Sequence, residues 1–347
     1  KKDAYVSPLL WKEKDPKLPD NTEGAIKRLI LLEKKLEKDP ALKERYQQSI
    51  EMDVQKGYIR KLSPEEAELP NPVTWYLPHH PVVNPRKPER LRRVYDASAV
   101  FNGASLNSAL YKGPDLLPSL LGVLLRFCEK PIAVAADIQE MYHQILVPDR
   151  DKAALRFMWR FTTSLDVEVY QSECMLFGEI GAPARANYVV RLAAEDHRHL
   201  YPLVSSIVDK WFYMDDAMGS VNSIAEGVQI VQQLTELMAR AGFRLHKWLS
   251  NSVEVLRSVP ESERSSKVHN LSGDHLPVQR TLGAYWNAEA DAFSYKVELS
   301  VPGNTHRKIL SQVFSIWDPL GLIVPFIVRA KMFLQKLWMD HLQQRDE

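Results

Sequence analysis

The 347-residue chain carries 45 Lys+Arg against 44 Asp+Glu, a net charge of +1, so its composition names no polyanionic partner and any basic footprint must be local. The length predicts two or three lobes, no apolar run reaches the roughly 18 residues of a membrane span, and the first twenty residues lack the apolar core of a signal peptide. Two cysteines, Cys128 and Cys174, far apart in sequence, argue for a reducing compartment and against both a disulfide framework and a Cys-rich zinc site.

In chain order, Asn21 or Thr22 is placed to cap a helix with Ile26, Leu29, Ile30 and Leu36 at helical spacing, interrupted by Asp39-Pro40. A second helix carries Leu42, Tyr46, Ile50 and Val54 and stops at Gly57. Residues 63–88 are proline-rich and predict extended chain and turns, with short strands at best; His79 and His80 fall in this loop, without cysteine partners for zinc. The basic stretch RKPERLRRVYD then leads into a short strand. Asp115 is the expected cap of a helix running through Leu121, Leu124 and Leu125 to Cys128. PIAVAADI predicts a buried strand ending in a charge, Asp137, followed by a short helix and a strand, QILV. AALRFMWRF and VEVYQSECML predict a hairpin, and the stretch from Gly181 a helix with Pro183 in its first turn. His197 and His199 diverge in direction and predict surface residues. VDKWFYMDDAMGS predicts a second hairpin, with Asp215 and Asp216 at its tip. A helix with Val228, Val231, Leu234 and Met238 inward and Gly242 as its stop follows. QRTLGAYWN and AFSYKVEL predict a strand pair, and Asn304 opens a last helical region broken at WDPLG. The mixed order predicts a helix-backed, largely antiparallel sheet rather than a doubly wound parallel one.

The carboxylates carry the chemistry. A charge at the rim of a buried strand is costly unless compensated. Adjacent side chains of a regular strand point to opposite faces, but a hairpin turn breaks that alternation, so Asp215 and Asp216 can face one space with Asp137. Clustered carboxylates raise one another's pKa, and a divalent cation removes the penalty; oxygen ligands suit Mg²⁺.

FYMDD (Phe212 to Asp216), ADIQEMYHQI, FGEIGAPARAN, AGFRLHKWLSN and RTLGAYW follow one another in the order and spacing of the catalytic motifs of reverse transcriptases. HHPVVNP, RRVYDAS, SLNSAL, GPDLL and ILSQVFSIWDPLGLIVPF are similar to the BEL/Pao class of LTR retrotransposons, and the resemblance covers nearly the whole chain. It implies an α+β right-hand polymerase with fingers, a palm of antiparallel sheet backed by helices, and a helical thumb. The implied boundaries are 1–110 for an N-terminal segment and fingers, 111–142 for the first part of the palm, 143–176 for a fingers insertion, 177–297 for the palm with primer grip, and 298–347 for the thumb or the start of a connection.

The implied activity is RNA-directed DNA polymerisation, with a primed RNA or DNA template and dNTPs as partners, no membrane, and a cytoplasmic location within virus-like particles. Asp137, Asp215 and Asp216, with the Ile138 carbonyl, are implied ligands of two Mg²⁺, with Mn²⁺ as a substitute. Tyr142 stands at the steric gate against ribose, which disfavours an RNA-directed RNA polymerase. Arg92 stands at the triphosphate contact, with Arg86, Lys87 and Arg90 as candidates for a second contact or for the template backbone. Phe177, Gly178 and Met214 fall in the nucleotide-binding set, Leu282 and Gly283 at the primer grip. Lys247 matches the lysine that protonates departing pyrophosphate; a phosphate contact is its alternative. Phe177 departs from the retroviral pattern, which has glutamine there, and Glu179 is expected to point away from the triphosphate. The family's polyproteins continue into RNase H and integrase, so an excised polymerase region is expected. The alternative is a domesticated, catalytically silent binding protein.

Overall fold

The computed structural model describes residues 4–84, 87–266, 278–281, 284–294, 305–315 and 318–346. The strands are β1 (Ile59–Lys61), β2 (His79–Asn84), β3 (Lys87–Tyr95), β4 (Ile132–Ile138), β5 (Arg156–Trp159), β6 (Glu168–Ser172), β7 (Phe212–Tyr213), β8 (Asp216–Val221), β9 (Leu245–Ser250), β10 (Val278–Thr281), β11 (Ala284–Asn287) and β12 (Ala292–Ser294). They form sheets ordered β1-β6-β5, β2-β3, β7-β8-β4-β9 and β10-β11-β12, with antiparallel pairing throughout. Two compact units result: Lys1–Leu116 with Glu140–His197 and Leu237–Phe243, and Leu117–Gln139 with Arg198–Glu236 and Arg244–Glu347. Among the described residues no helix is long and apolar enough to cross a membrane.

In the first unit, helix Thr22–Glu37 buries Ala25, Leu29, Leu32 and Leu36, whereas Ile30 is exposed. The Asn21 side chain does not cap this helix; its amide clasps both backbone groups of Tyr76. Helix Pro40–Gln55 starts on Asp39, whose carboxylate accepts from the Leu42 amide at 3.0 Å, and ends at Gly57 with φ +70°. The hairpin β5–β6 forms as expected. The expected short helix after β4 is a 3₁₀ turn, Met141–Gln144, and the expected strand QILV is reduced to single bridges from Leu146 to Val6 and Cys174. Arg93 and Arg92 take opposite faces of β3: Arg93 is buried in an ion pair with Asp53 and donates to the Tyr95 hydroxyl, while Arg92 is exposed. Cys174 is buried in this unit, beneath the Tyr58 carbonyl; Cys128, in the second unit, is exposed.

His79 corrects the loop reading. It opens β2, and its ring is 7% exposed among Tyr46, Tyr95, Phe157 and Trp159. Nε2 faces the Met158 carbonyl at 3.0 Å and must donate to it, which leaves Nδ1 to accept from the Tyr46 hydroxyl. Burial holds its pKa down at about 3, from 6.5. The folded state therefore stays neutral where the unfolded chain takes up a proton, so stability is full above pH 6.5 and falls as pH drops from there towards 3. From pH 7 to 5 this group is expected to remove about 2 kcal/mol. Urea unfolding at the two pH values checks it: the Tyr46- and Met158-bonded wild type should show the slope, and a His79→Gln variant should lack that share of it.

The second unit is built on β4, the apolar run Ile132–Ile138, flanked by β8 and β9. Its core gathers Val123, Leu124, Phe127, Met218, Leu249, Leu256 and Trp286, with Phe127 and Trp286 edge to face at 4.7 Å. Burying such a side chain contributes about 1.5–3 kcal/mol. Gly219 in β8 lies flat against the Trp211 indole, where any Cβ would collide. Helix Leu120–Phe127 is capped by Ser119, not Asp115, because Ser119 Oγ reaches the Gly122 amide. QRTLGAYWN holds a hairpin of its own, β10–β11, and β12 pairs with β11. Thr305 caps helix His306–Val313, and after the Asp318 turn helix Val324–Asp346 resumes.

Candidate active site

The run before the two acids is shorter as a strand than the sequence suggests. Val208–Trp211 is a helical turn, and only Phe212 and Tyr213 pair, with Ala217 and Asp216. Two residues are then left for the turn, Met214 and Asp215. Met214 takes φ +57°, a left-handed conformation that a non-glycine residue adopts at a cost. The turn leaves Asp215 exposed and Asp216 half-buried at the head of β8.

Pairing register brings the third acid to them. Asp137 at the end of β4 stands opposite Asp216, and the Ile138 amide donates to the Asp215 carbonyl at 2.7 Å. Burial, then the charges of Asp215 and Asp137, push the Asp216 carboxyl up to about 7, with Lys247 opposing. Asp137 behaves differently. Burial works to raise its pKa, but hydrogen bonds from His246 and Lys247 outweigh that and leave it lowered.

Those two partners come from adjacent positions of one strand. His246 Nε2 lies 2.7 Å from Asp137 Oδ1, and Lys247 Nζ lies 2.9 Å from Oδ2. Neighbours in a regular strand face opposite sides, so both can reach one carboxylate only if the strand is broken. It is: the β4–β9 register shifts between Ala135 and Asp137, and Lys247 has φ +54°. An extra residue in a bulge of this kind re-aims a side chain. His246 was not foreseen from sequence; its one signal is its place directly before Lys247.

Asp137 and Asp216 offer carboxylate oxygens side by side, and burial and the neighbouring acids oppose the charge of Asp216, a penalty that a hard divalent cation would remove. Asp137, however, faces His246 and Lys247, and among the described residues no three His, Cys, Asp or Glu side chains stand ready to hold a metal ion.

The remaining expected residues lie in the first unit or outside the described residues. Tyr142 sits in the turn Met141–Gln144, 7% exposed, its ring 4.6 Å from that of Phe177. Phe177 is half exposed, and Gly178 has φ +114° at a place where any Cβ would collide with the Tyr95 carbonyl oxygen, so only glycine fits. Glu179 turns inward into a buried ion pair with Arg185 at 2.5 Å; Arg185 also binds Ser7. Burial pushes the Glu179 carboxyl up despite Arg185. Lys87 and Arg90 fall in β3. His197 ends helix Ala182–Asp196, and His199 lies beyond it. Arg86, Leu282 and Gly283 lie outside the described residues.

A family model described as "Pao retrotransposon-like RNaseH-like domain" matches residues 305–347, the segment expected to be thumb or connection. No curated protein matches the chain. Among solved structures, the fold is similar to that in "Structure of the foamy viral protease-reverse transcriptase dRH in complex with ds DNA", with a TM-score of 0.50 and 14% identity. That likeness covers 89% of this chain but 42% of the foamy viral one, so the chain spans less than half the length of that protein. At this identity it speaks for the fold alone: a mixed helix-and-sheet arrangement similar to a retroviral pol fragment. The family match is confined to the C-terminal residues 305–347.

Proposed function

We propose that the chain is the polymerase region of a retroelement pol protein and extends a primer 3′-hydroxyl with deoxynucleotides on an RNA template. One observation carries this: Asp137 and Asp216 are register partners on the two central strands of an antiparallel sheet, with Asp215 in the adjoining turn and Asp216 forced towards neutrality. In this reading the sheet β7-β8-β4-β9 is the palm, with fingers ahead of it and a helical thumb after it. Asp137, Asp215 and Asp216, with the Ile138 carbonyl, would hold Mg²⁺, or Mn²⁺ in its place. When bound, the ions supply charge neutralisation and activation of the attacking hydroxyl. Lys247, released from Asp137, can donate a proton to departing pyrophosphate or hold a phosphate. Tyr142 excludes a ribose 2′-hydroxyl by bulk, and Arg92 offers a planar fork to the triphosphate. Duplex nucleic acid is the expected partner, supported by the double-stranded DNA named for the foamy viral protein.

The test is primer extension on an RNA template with dNTPs, with Mg²⁺ and with a chelator. Extension that depends on the metal is expected; none from well-folded protein sinks the reading. A second reading, a silent nucleic-acid-binding protein, is favoured by the hold of His246 and Lys247 on Asp137. Duplex binding without extension at any metal concentration would select it.

A further inference from the structure

The break in register between β4 and β9 turns two polar side chains of one strand to a single carboxylate. Leu245 and Trp248 on either side of them are buried, and the Trp248 carbonyl accepts from the Ser265 amide at 3.0 Å. Between these anchors His246 and Lys247 each take one oxygen of Asp137. The two contacts are unlike. The His246 side chain is 21% exposed, whereas that of Lys247 is 41% exposed and has water to turn to. Lys247 nevertheless holds Oδ2, and it does so from a backbone at φ +54°. A residue with a Cβ adopts that conformation at a cost, and such strain persists only where the surroundings impose it. The ammonium also acts beyond Asp137. Asp216 is the register partner of Asp137, and the Lys247 charge opposes the burial and the two acids that push the Asp216 carboxyl up. One cation therefore serves two carboxylates, and all of these groups belong to the second unit.

We propose that Lys247 is the resident cation of the carboxylate site: its ammonium neutralises Asp137 and Asp216 while no metal is bound, and it competes with a divalent ion for them. The inference rests on the metal-binding part of the polymerase reading. Clustered carboxylates repel one another, and a positive charge of either kind relieves that repulsion. Two cations at one pair of carboxylates repel each other in turn, so the arrival of one weakens the hold of the other. A point charge on a flexible four-carbon stem can leave and return while the strand stays in place.

The experiment measures Mn²⁺ binding to the full chain at pH 8 and low salt, without nucleotide or nucleic acid, from the loss of the free-ion electron paramagnetic resonance signal. Lys247→Asn is expected to bind about tenfold more tightly than wild type, because the competing charge is gone. Asparagine accepts a positive φ, so the bulge is kept. Lys247→Arg retains the charge and is expected to bind as wild type does. Lys247→Met, uncharged and of similar length, repeats the test if the asparagine variant does not fold. Equal affinity throughout, or an arginine variant as tight as the uncharged ones, overturns this inference and leaves the polymerase reading standing. So does a gain in affinity that survives Asp216→Asn, because that ion lies elsewhere. Uptake by the uncharged variants with none by wild type supports the inference in its strongest form. No uptake by any of these proteins overturns the inference and the metal-binding reading together.

Discussion

Asp216→Asn is expected to lower primer extension by about a thousandfold or more while making the protein more stable. The two effects share one cause. Asp216 is a carboxylate placed where burial and two neighbouring carboxylates oppose its charge, which pushes its pKa from 3.8 to about 7. A carboxyl whose folded pKa lies above its unfolded one costs stability as pH rises through that interval, and the whole cost is present above pH 7. The neutral amide has the same shape without the charge, so the variant should gain ~2–4 kcal/mol at pH 8, with the gain fading towards pH 4. Urea unfolding in chelator at pH 8 and pH 5, beside an extension assay, reads both effects. An amide variant less stable than wild type at pH 8 would refute the account of repulsion at this site.

Tyr142→Ala is the second large change. In the polymerase reading the ring blocks the 2′-hydroxyl, so its removal should raise incorporation of ribonucleotides relative to deoxynucleotides by roughly a hundredfold. Tyr142→Phe keeps the bulk and should keep the preference. The ring is 7% exposed and lies against Phe177, so truncation should also cost about 2–4 kcal/mol in packing. Competition between labelled rUTP and dTTP at matched concentrations decides it; an unaltered sugar preference in the alanine variant removes the gate assignment.

The places of the three acids were legible because each breaks a local pattern. Asp137 ends an apolar run, and the Asp215–Asp216 pair interrupts another, so both had to sit at a rim. Their register was not legible, because pairing of β4 with β8 joins segments about eighty residues apart and nothing local fixes it. His246 was missed for the same reason. Its partner is 109 residues away, and its reach depends on a bulge that periodicity cannot show. His79 was misread as a loop residue because prolines surround it. What makes it core is a cage of Tyr46, Phe157 and Trp159 drawn from other elements. The helix after Asp115 was found, but four residues early, since Asp and Ser are equally good caps and nothing local chooses between Asp115 and Ser119.

The two cysteines lend themselves to a use that has nothing to do with chemistry at the carboxylates. Each compact unit holds one thiol: Cys174 sealed in the first, Cys128 open in the second. A thiol reagent therefore labels Cys128 at once and Cys174 only as fast as its surroundings breathe. The slow phase clocks local opening of the first unit by itself, with the fast phase as an internal standard, and without any engineered probe. Run across denaturant, the same trace separates a loosening confined to that unit from unfolding of the whole chain.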